Sequence, residues 1–214
     1  MHIPDGVLPL PITGAGYAAT AATTWYSIRR IRQRENYRQD IPKASLLTAA
    51  FFVASWIHIP MPPTSVHLVL NGLLGALLGY YAFPAILIGL FFQAVMFGHG
   101  GLTTLGVNAM IMGLPAIIAH YIFRLRQWRN NGASRKRTGV FGFLAGVTAM
   151  GVSVAMFVGI LLTNLPAELN VVSERAAILA LATAHVPVIF IEGTIAALVT
   201  TFLQRVRPKI LDGV

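Results

Sequence analysis

The chain has 214 residues, of which 56% are hydrophobic and only 11% are charged. Soluble domains carry roughly 25% charged residues, so this composition indicates an all-α integral membrane protein with a single polytopic domain over residues 1–214. Cysteine is absent, which excludes disulfides, thiolate metal sites and cysteine nucleophiles, so any metal must be held by nitrogen or oxygen donors. The net charge of +9 would suggest a nucleic-acid partner for a soluble protein; here we expect none, because the distribution of the basic residues matters more than their sum.

The chain opens with MHIPDG, which lacks the basic stretch, apolar run and small-residue cleavage site of an export signal. The amine of Met1, the backbone nitrogen of His2 and one ring nitrogen of His2 can close two fused chelate rings around one ion and fill three positions of a square plane. A square plane of nitrogen donors favours Ni(II) or Cu(II), and the amide nitrogen must lose its proton, so binding should weaken at low pH. A turn over Pro4, Asp5 and Gly6 can fold this terminus back onto the protein. The alternative is a solvated terminus without a ligand role.

Apolar runs bounded by charges, proline or glycine predict seven membrane spans. A bilayer core of ~30 Å needs about 20 apolar residues in a helix. The fourth run is short, so it is either a steep helix or a re-entrant segment, and six spans is the alternative. The predicted spans lie near residues 7–28, 42–59, 65–82, 84–98, 103–124, 138–163 and 176–203.

The basic residues predict the orientation of these spans. They cluster after the first, fifth and seventh spans, and Lys and Arg collect in cytoplasmic loops. An outside N-terminus and a cytoplasmic C-terminus place every basic residue except Arg175 on the inside. The same orientation puts five of the six histidines on the outer side, the exception being His120. The distribution therefore predicts an imidazole site that faces outwards.

The stretch PPTSVHLVLNG supplies a candidate fourth nitrogen donor, His67. The two prolines delay helix entry, so we expect Thr64 or Ser65 to cap the third span and His67 to lie in its first turn. Asn71, four residues on, would then share a helical face with His67. A satisfied interfacial histidine is the alternative, but a stacked His and Asn in an apolar helix favour a site.

Further candidates follow in the loop GHGGLTTLGVN and in the last span. His99 lies in the loop, and Gln93 and Asn108 flank it, where either amide could orient a liganding imidazole or join helices. No Lys follows Gly106, which excludes a phosphate-binding loop. In HVPVIFIEG, His185 and Glu192 are seven residues apart on one face; a buried carboxyl there either steadies a ligand network or pairs spans.

Four stretches, MHIPDG, SVHLVLNGLLG, QAVMFGHGGLTTLGVN and HVPVIFIEG, resemble the signatures of the substrate-capturing membrane subunits of energy-coupling factor nickel and cobalt transporters, the NikM/CbiM family. The resemblance covers essentially the whole chain, and the opening is more like the nickel members. It implies a six-helix core with one added N-terminal helix, and a metal held by residues that correspond to Met1, His2 and His67. It also implies a transmembrane coupling subunit, a pair of cytoplasmic ATPases and a small accessory membrane subunit as partners, within the lipid bilayer of a prokaryotic cell membrane.

Three functions compete on these residues. The first is capture of Ni(II), or alternatively Co(II), by a non-enzymatic transport subunit with no cofactor or catalytic residue of its own. The second is a self-sufficient metal carrier, which would need a polar path across the membrane, yet His120 and Glu192 are the only obvious inner candidates. The third is an intramembrane metalloenzyme, and the absence of an HExxH arrangement argues against it.

Overall fold

The computed structural model describes residues 2–61, 64–127, 134–164 and 171–212, and nearly all of this chain is helical. Within these ranges a short antiparallel hairpin, β1 with β2, is the exception to the predicted all-α class. In chain order the elements are α1 (Leu10–Arg32), α2 (Ile41–Ala54), β1 (His58–Met61), β2 (Thr64–His67), α3 (Asn71–Leu78), α4 (Ala82–Phe97), α5 (Leu105–Arg124), α6 (Arg135–Thr163), α7 (Val171–Val206) and α8 (Lys209–Asp212).

Among the described residues, four helical stretches are long and apolar enough to cross a membrane, by length and composition alone. This agrees with the membrane class that the composition predicts. The 14 residues of α2 span ~21 Å, less than a bilayer core of ~30 Å. The seven-span count and the orientation stay predictions. The four stretches are Asn71–Phe97, Leu105–Gln127, Arg135–Thr163 and Ser173–Val206, of which the first is made of two helices, α3 and α4, joined by a turn at Gly79.

The prediction that a helix begins at Thr64 or Ser65 is wrong. Residues 64–67 form β2, which pairs with β1 in the register His58↔His67, and α3 begins only at Asn71. The reason is local, because a proline-rich sequence with β-branched Thr and Val favours extended backbone over helix. His67 therefore ends a strand rather than opening a helix, and it does not share a helical face with Asn71.

The helices α3 and α4 form a bent pair packed on α5. The Asn71 side chain reaches the carbonyl of Met112, and Gly75 packs against the backbone of Ala116, so α3 runs parallel to α5 from about its middle. The chain turns at Gly79, which has φ 58° and ψ −125°, a conformation that favours glycine. Helix α4 then runs back antiparallel to α5. The start of α3 is consequently buried in the protein, beneath the β-hairpin.

Glycines bring the remaining long helices into backbone contact. A Cβ atom added to Gly146 of α6 would lie 2.7 Å from the Cα atom of Gly193 in α7, and one added to Gly72 of α3 would lie 2.6 Å from the Cα atom of Gly146. Small residues allow such close approach between membrane helices. The α3, α6 and α7 backbones therefore meet in one layer, close to the buried start of α3.

Candidate metal centre

The N-terminal segment is docked on the start of α5 through the backbone of Ile3. Its N–H group donates to Oδ1 of Asn108 at 2.9 Å, and its carbonyl accepts from Nδ2 of Asn108 at 3.0 Å. The hydroxyl of Thr104 donates to the same carbonyl at 2.6 Å. The Ile3 side chain is fully buried. These contacts hold His2, the preceding residue, against the protein.

A second attachment is made by Asp5 at the loop before α5. Its carboxylate accepts from the backbone N–H of Leu102 at 3.2 Å, and from the N–H and hydroxyl groups of Thr103 at 2.8 and 2.5 Å. The Thr103 hydroxyl first, and then these backbone N–H groups, lower the pKa of Asp5. A Cβ atom at position 101 would lie 2.1 Å from Oδ1 of Asp5, so Gly101 is needed for this approach.

Three imidazoles from distant parts of the chain meet beside this docked segment. They belong to His2, to His67 at the end of β2, and to His99 in the α4–α5 loop. One nitrogen atom from each ring lies within 4.8 Å of the other two. The ring centroids are 5.1 Å apart for His2 and His67, 4.2 Å for His2 and His99, and 5.2 Å for His67 and His99. Imidazole nitrogens that share one ion lie ~2.0–2.1 Å from it, so nitrogen atoms this close together could hold a metal ion once the rings adjust.

Hydrogen bonds select which ring nitrogen His2 and His67 present. Nε2 of His2 lies 3.0 Å from Oε1 of Gln93, whose own Nε2 donates to the hydroxyl of Ser55 at 3.0 Å. Nε2 of His2 therefore carries the proton, and its Nδ1 is buried without a hydrogen-bond partner in the described part of the chain. Nδ1 of His67 donates to the carbonyl of Leu68 at 3.1 Å, which leaves the lone pair on its Nε2.

The electrostatics keep the His2 ring neutral. Desolvation in this pocket is the largest cause that holds the pKa of His2 well below its usual range, and the neighbouring His67 and His99 rings add to it. A neutral imidazole is the form that binds a metal ion. The His2 ring therefore offers a lone pair rather than a proton at neutral pH.

The other predicted site residues lie apart from the three imidazoles. Asn71 is buried and donates to the Met112 carbonyl and to the hydroxyl of Ser153 at 2.8 Å. Nδ1 of His185 donates to the carbonyl of Leu181 in its own helix at 2.7 Å. Glu192 contacts the backbone between His67 and α3. Met1 lies outside the described residues.

Sequence reasoning missed Thr104 and Ser55 as supports of this site. Thr104 precedes Asn108 by four residues at the start of α5, and this spacing indicates a shared helical face. The role of Thr104 could therefore have been predicted from the sequence. Ser55 is 38 residues from Gln93, and no sequence signal joins them. Its role follows only from the way α2 packs against α4.

The fold and site together define a helical protein of the membrane class with three histidine side chains close enough to hold a metal ion. The family model described as "Cobalt uptake substrate-specific transmembrane region" matches residues 2–210. The chain belongs to this family of metal-transport components, as its four motifs predict.

Relatives along the whole chain carry metal-transport names. A putative metal transport protein of Haemophilus influenzae is 37% identical over 213 residues, which cover 99% of this chain and 97% of that protein. The putative fused nickel transport protein NikMN of Archaeoglobus fulgidus is 32% identical, over 99% of this chain and 68% of that protein. The cobalt transport protein CbiM of Sorangium cellulosum is 32% identical, over 99% of this chain and 95% of that protein.

Two solved structures share the fold. The crystal structure of a transition metal transporter superposes with a TM-score of 0.75 at 22% identity, covering 96% of this chain and 93% of that one. A truncated transition metal transporter superposes with a TM-score of 0.70 at 23% identity, covering 96% and 99%.

Proposed function

We propose that this chain captures Ni(II) from outside a prokaryotic cell membrane as the substrate-specific subunit of an ATP-driven energy-coupling factor importer. The observation that carries the proposal is the buried Nδ1 of His2, which lacks a hydrogen-bond partner in the described chain while Gln93 holds the other ring nitrogen. A buried polar atom of this kind calls for an explanation such as an ion. A transition-metal ion bound at Nδ1 supplies one.

The ligand set follows from the chemistry of the His2 ring. Nδ1 is the nitrogen that can close a chelate ring with the backbone nitrogen of the same residue, and the amine of Met1 closes a second ring. Nε2 of His67 then fills the fourth position of a near-square plane. Oxygen-preferring ions such as Mg²⁺ and Ca²⁺ are rejected by this donor set.

The residues around the plane support its members. Gln93 fixes the tautomer of His2, and Asn108 holds the backbone that follows it. Partners of this kind orient metal ligands and raise their basicity. His99 closes the pocket wall against both imidazoles.

Ni(II) is the first candidate and Co(II) the alternative. Divalent nickel binds nitrogen sites more tightly than cobalt, and a planar nitrogen field favours nickel further. Relatives with nickel and with cobalt in their names match this chain equally well, at 32% identity. A competition titration of the purified chain with both ions separates them: a tighter Co(II) site would reverse the assignment.

The energy source lies in partner proteins under this proposal. A transmembrane coupling subunit, a pair of cytoplasmic ATPases and a small accessory membrane subunit would drive release of the ion. The alternative is a self-sufficient carrier. Uptake of nickel by liposomes that hold only the purified chain would establish the carrier and remove the need for these partners.

A nickel titration of the purified chain with its native N-terminus tests the site. We expect one ion per chain and the d–d absorption band of a planar nitrogen site. His2→Ala, His67→Ala and a peptide tag placed before Met1 should each abolish the band, since each removes one donor or blocks the chelating amine.

His120→Ala is the matched control. His120 is a fully buried histidine, but it lies near the C-terminal end of α5, whereas the N-terminal segment docks on the start of that helix. This variant should keep the band and the affinity. An octahedral spectrum that is indifferent to both His2→Ala and His67→Ala would show that the N-terminal chelate is wrong.

A further inference from the structure

Glu192 in the middle of α7 is a buried carboxyl that the ligand set does not use. Only 2% of its surface is exposed. Its Oε1 and Oε2 atoms accept from the backbone N–H of Leu70 at 2.9 and 2.8 Å, and Oε1 also accepts from the N–H of Val69. A helix from the end of the chain therefore binds the short segment that joins β2 to α3.

That segment, residues 68–70, packs its side chains on the core, but its backbone is irregular. It belongs to no helix or strand. Leu70 has φ 56°, and it is the one non-glycine residue with positive φ in the described part of the chain. This conformation is unfavourable for an L-residue and persists when its surroundings enforce it. Val69 is 1% exposed, so without Glu192 its N–H group would be buried and unpaired.

The segment also sets the direction of the His67 ring. Nδ1 of His67 donates to the carbonyl of Leu68, the residue immediately before the two N–H groups that Glu192 binds. The contacts therefore form a short chain: the Glu192 carboxyl holds Val69 and Leu70, their backbone places the Leu68 carbonyl, and that carbonyl orients the imidazole.

The position of the Glu192 carboxyl along the α6–α7 helix pair is set by close packing of the two backbones. Gly193, the next residue, lies against the backbone of Gly146 in α6, where a Cβ atom on Gly146 would approach to 2.7 Å. The backbones of α6 and α7 cannot slide past one another here without breaking this contact. Glu192 is thus presented to the segment from a closely packed helix pair.

We propose that Glu192 is a positioning residue for the metal site, which holds the 68–70 segment so that Nε2 of His67 meets the ion. This inference rests on the proposed function, because it takes His67 as a ligand. The Glu192 carboxyl then binds the backbone next to the site, and it binds neither the ion nor a side chain of another helix in the described chain.

Substitution of Glu192 tests the inference through nickel affinity. Glu192→Gln keeps the volume and one acceptor, while Glu192→Leu removes both acceptors. Loss of a group that orients a metal ligand typically costs ~10- to 100-fold in affinity, so we expect the dissociation constant to rise by about this factor, more for Leu than for Gln. Thr200→Val, a buried change further along α7, is the control and should leave affinity unchanged.

A double-variant cycle distinguishes positioning from general stabilisation. If Glu192 acts through His67, Glu192→Gln should have no further effect on residual nickel affinity in a His67→Ala background. A full effect in that background overturns the inference. Unchanged affinity of Glu192→Gln, with His67→Ala still abolishing the planar absorption band, also overturns it and leaves the proposed function intact.

Hydrogen exchange of the metal-free chain gives an independent measurement. Amide protons of residues 69 and 70 should exchange faster in Glu192→Gln than in the unsubstituted chain, while those of α6 stay protected. Equal exchange at these two amides overturns the inference whatever nickel does. If His67→Ala leaves nickel binding unchanged, the proposed ligand set fails, and the exchange result then still decides whether Glu192 holds the segment.

Discussion

Asn108 and Thr104 fasten the backbone of a single residue, Ile3, with three hydrogen bonds. Each such bond contributes ~0.5–1.5 kcal/mol, whereas ordering the backbone of each residue costs about 1–2 kcal/mol. The three bonds therefore offset the ordering of only about two residues. Burial of the Ile3 side chain adds roughly 1.5–3 kcal/mol. The docked segment thus depends on this apolar contact as well as on Asp5.

The Asp5 attachment makes a prediction at the level of one carboxyl group. Its pKa should lie below the ordinary value of 3.8, chiefly because the Thr103 hydroxyl donates to the carboxylate. A depressed pKa means that the stabilisation of the docked segment is complete above the ordinary carboxyl range and is lost as pH falls through the depressed pKa. A ¹³C NMR titration of the metal-free chain with labelled aspartate measures it.

Thr103→Val should raise the pKa of Asp5 towards 3.8, because it removes the hydroxyl group that donates to the carboxylate. Thr163→Val is the matched control, because the Thr163 hydroxyl bonds only to carbonyls of α6 and to the adjacent Asn164 amide in the described chain, far from Asp5 in sequence. A pKa for Asp5 at or above 3.8 in the unsubstituted chain would contradict the docked geometry.

At the scale of elements, α3 is the helix whose position most affects the site. It is short, at eight residues, and every one of them is buried. It lies between α5 and α6 because its glycines allow close approach to both helices. Gly75 packs against Ala116 of α5, and Gly72 packs against Gly146 of α6. Its depth determines where the preceding segment, and so His67, can lie.

Gly75→Ala should therefore destabilise the protein. The added Cβ atom would lie 2.0 Å from the carbonyl oxygen of Ala116, so α3 and α5 must move apart. Overpacking of this kind costs ~1–3 kcal/mol. The thermal midpoint in detergent should fall, and nickel affinity should fall with it, because His67 moves with α3.

Gly151→Ala in α6 is the control for this change, because no atom lies within 4 Å of the added Cβ. Alanine favours helix over glycine by ~0.5–1 kcal/mol, so this midpoint should stay or rise. Equal loss of stability in both variants would show that the α3–α5 contact is looser than described.

For the whole molecule, the uneven placement of Arg and Lys makes the orientation testable. The absence of cysteine is useful here, since single cysteines can be added without a background to remove. We expect Leu102→Cys, in the α4–α5 loop, to react with a membrane-impermeant maleimide on intact cells. Glu35→Cys, after α1, should react only once the cells are broken, because its basic loop is predicted to lie on the cytoplasmic side.

Broken cells, in which both cysteines should react, are the control for accessibility. Both positions are exposed in the described chain. Labelling of Glu35→Cys rather than Leu102→Cys on intact cells would invert the orientation and place the imidazole pocket on the cytoplasmic side.

Individual residues show how far sequence reasoning reaches. His2 and His67 could be selected as partners because their donor chemistry is explicit in the residue types, and Gln93 and Asn108 because amides are costly in apolar helices. The position of His67 on a strand could not be predicted, since the Pro and Thr residues before it are compatible with either a delayed helix or an extended segment. The meeting of His99 with the other two rings depends on how the α4–α5 loop folds over the N-terminus.

By itself, the sequence determined the membrane class, which depends on composition, and the metal-transport family, which its four motifs indicate. It also supplied candidate nitrogen donors, from the chemistry of single side chains. Only the tertiary structure decided which ring nitrogen His2 presents, why Glu192 is tolerated in an apolar helix, and that α3 begins inside the protein. Each of these depends on contacts between residues far apart in the chain, such as the 122 positions between Leu70 and Glu192. Local propensity carries no information about such distances.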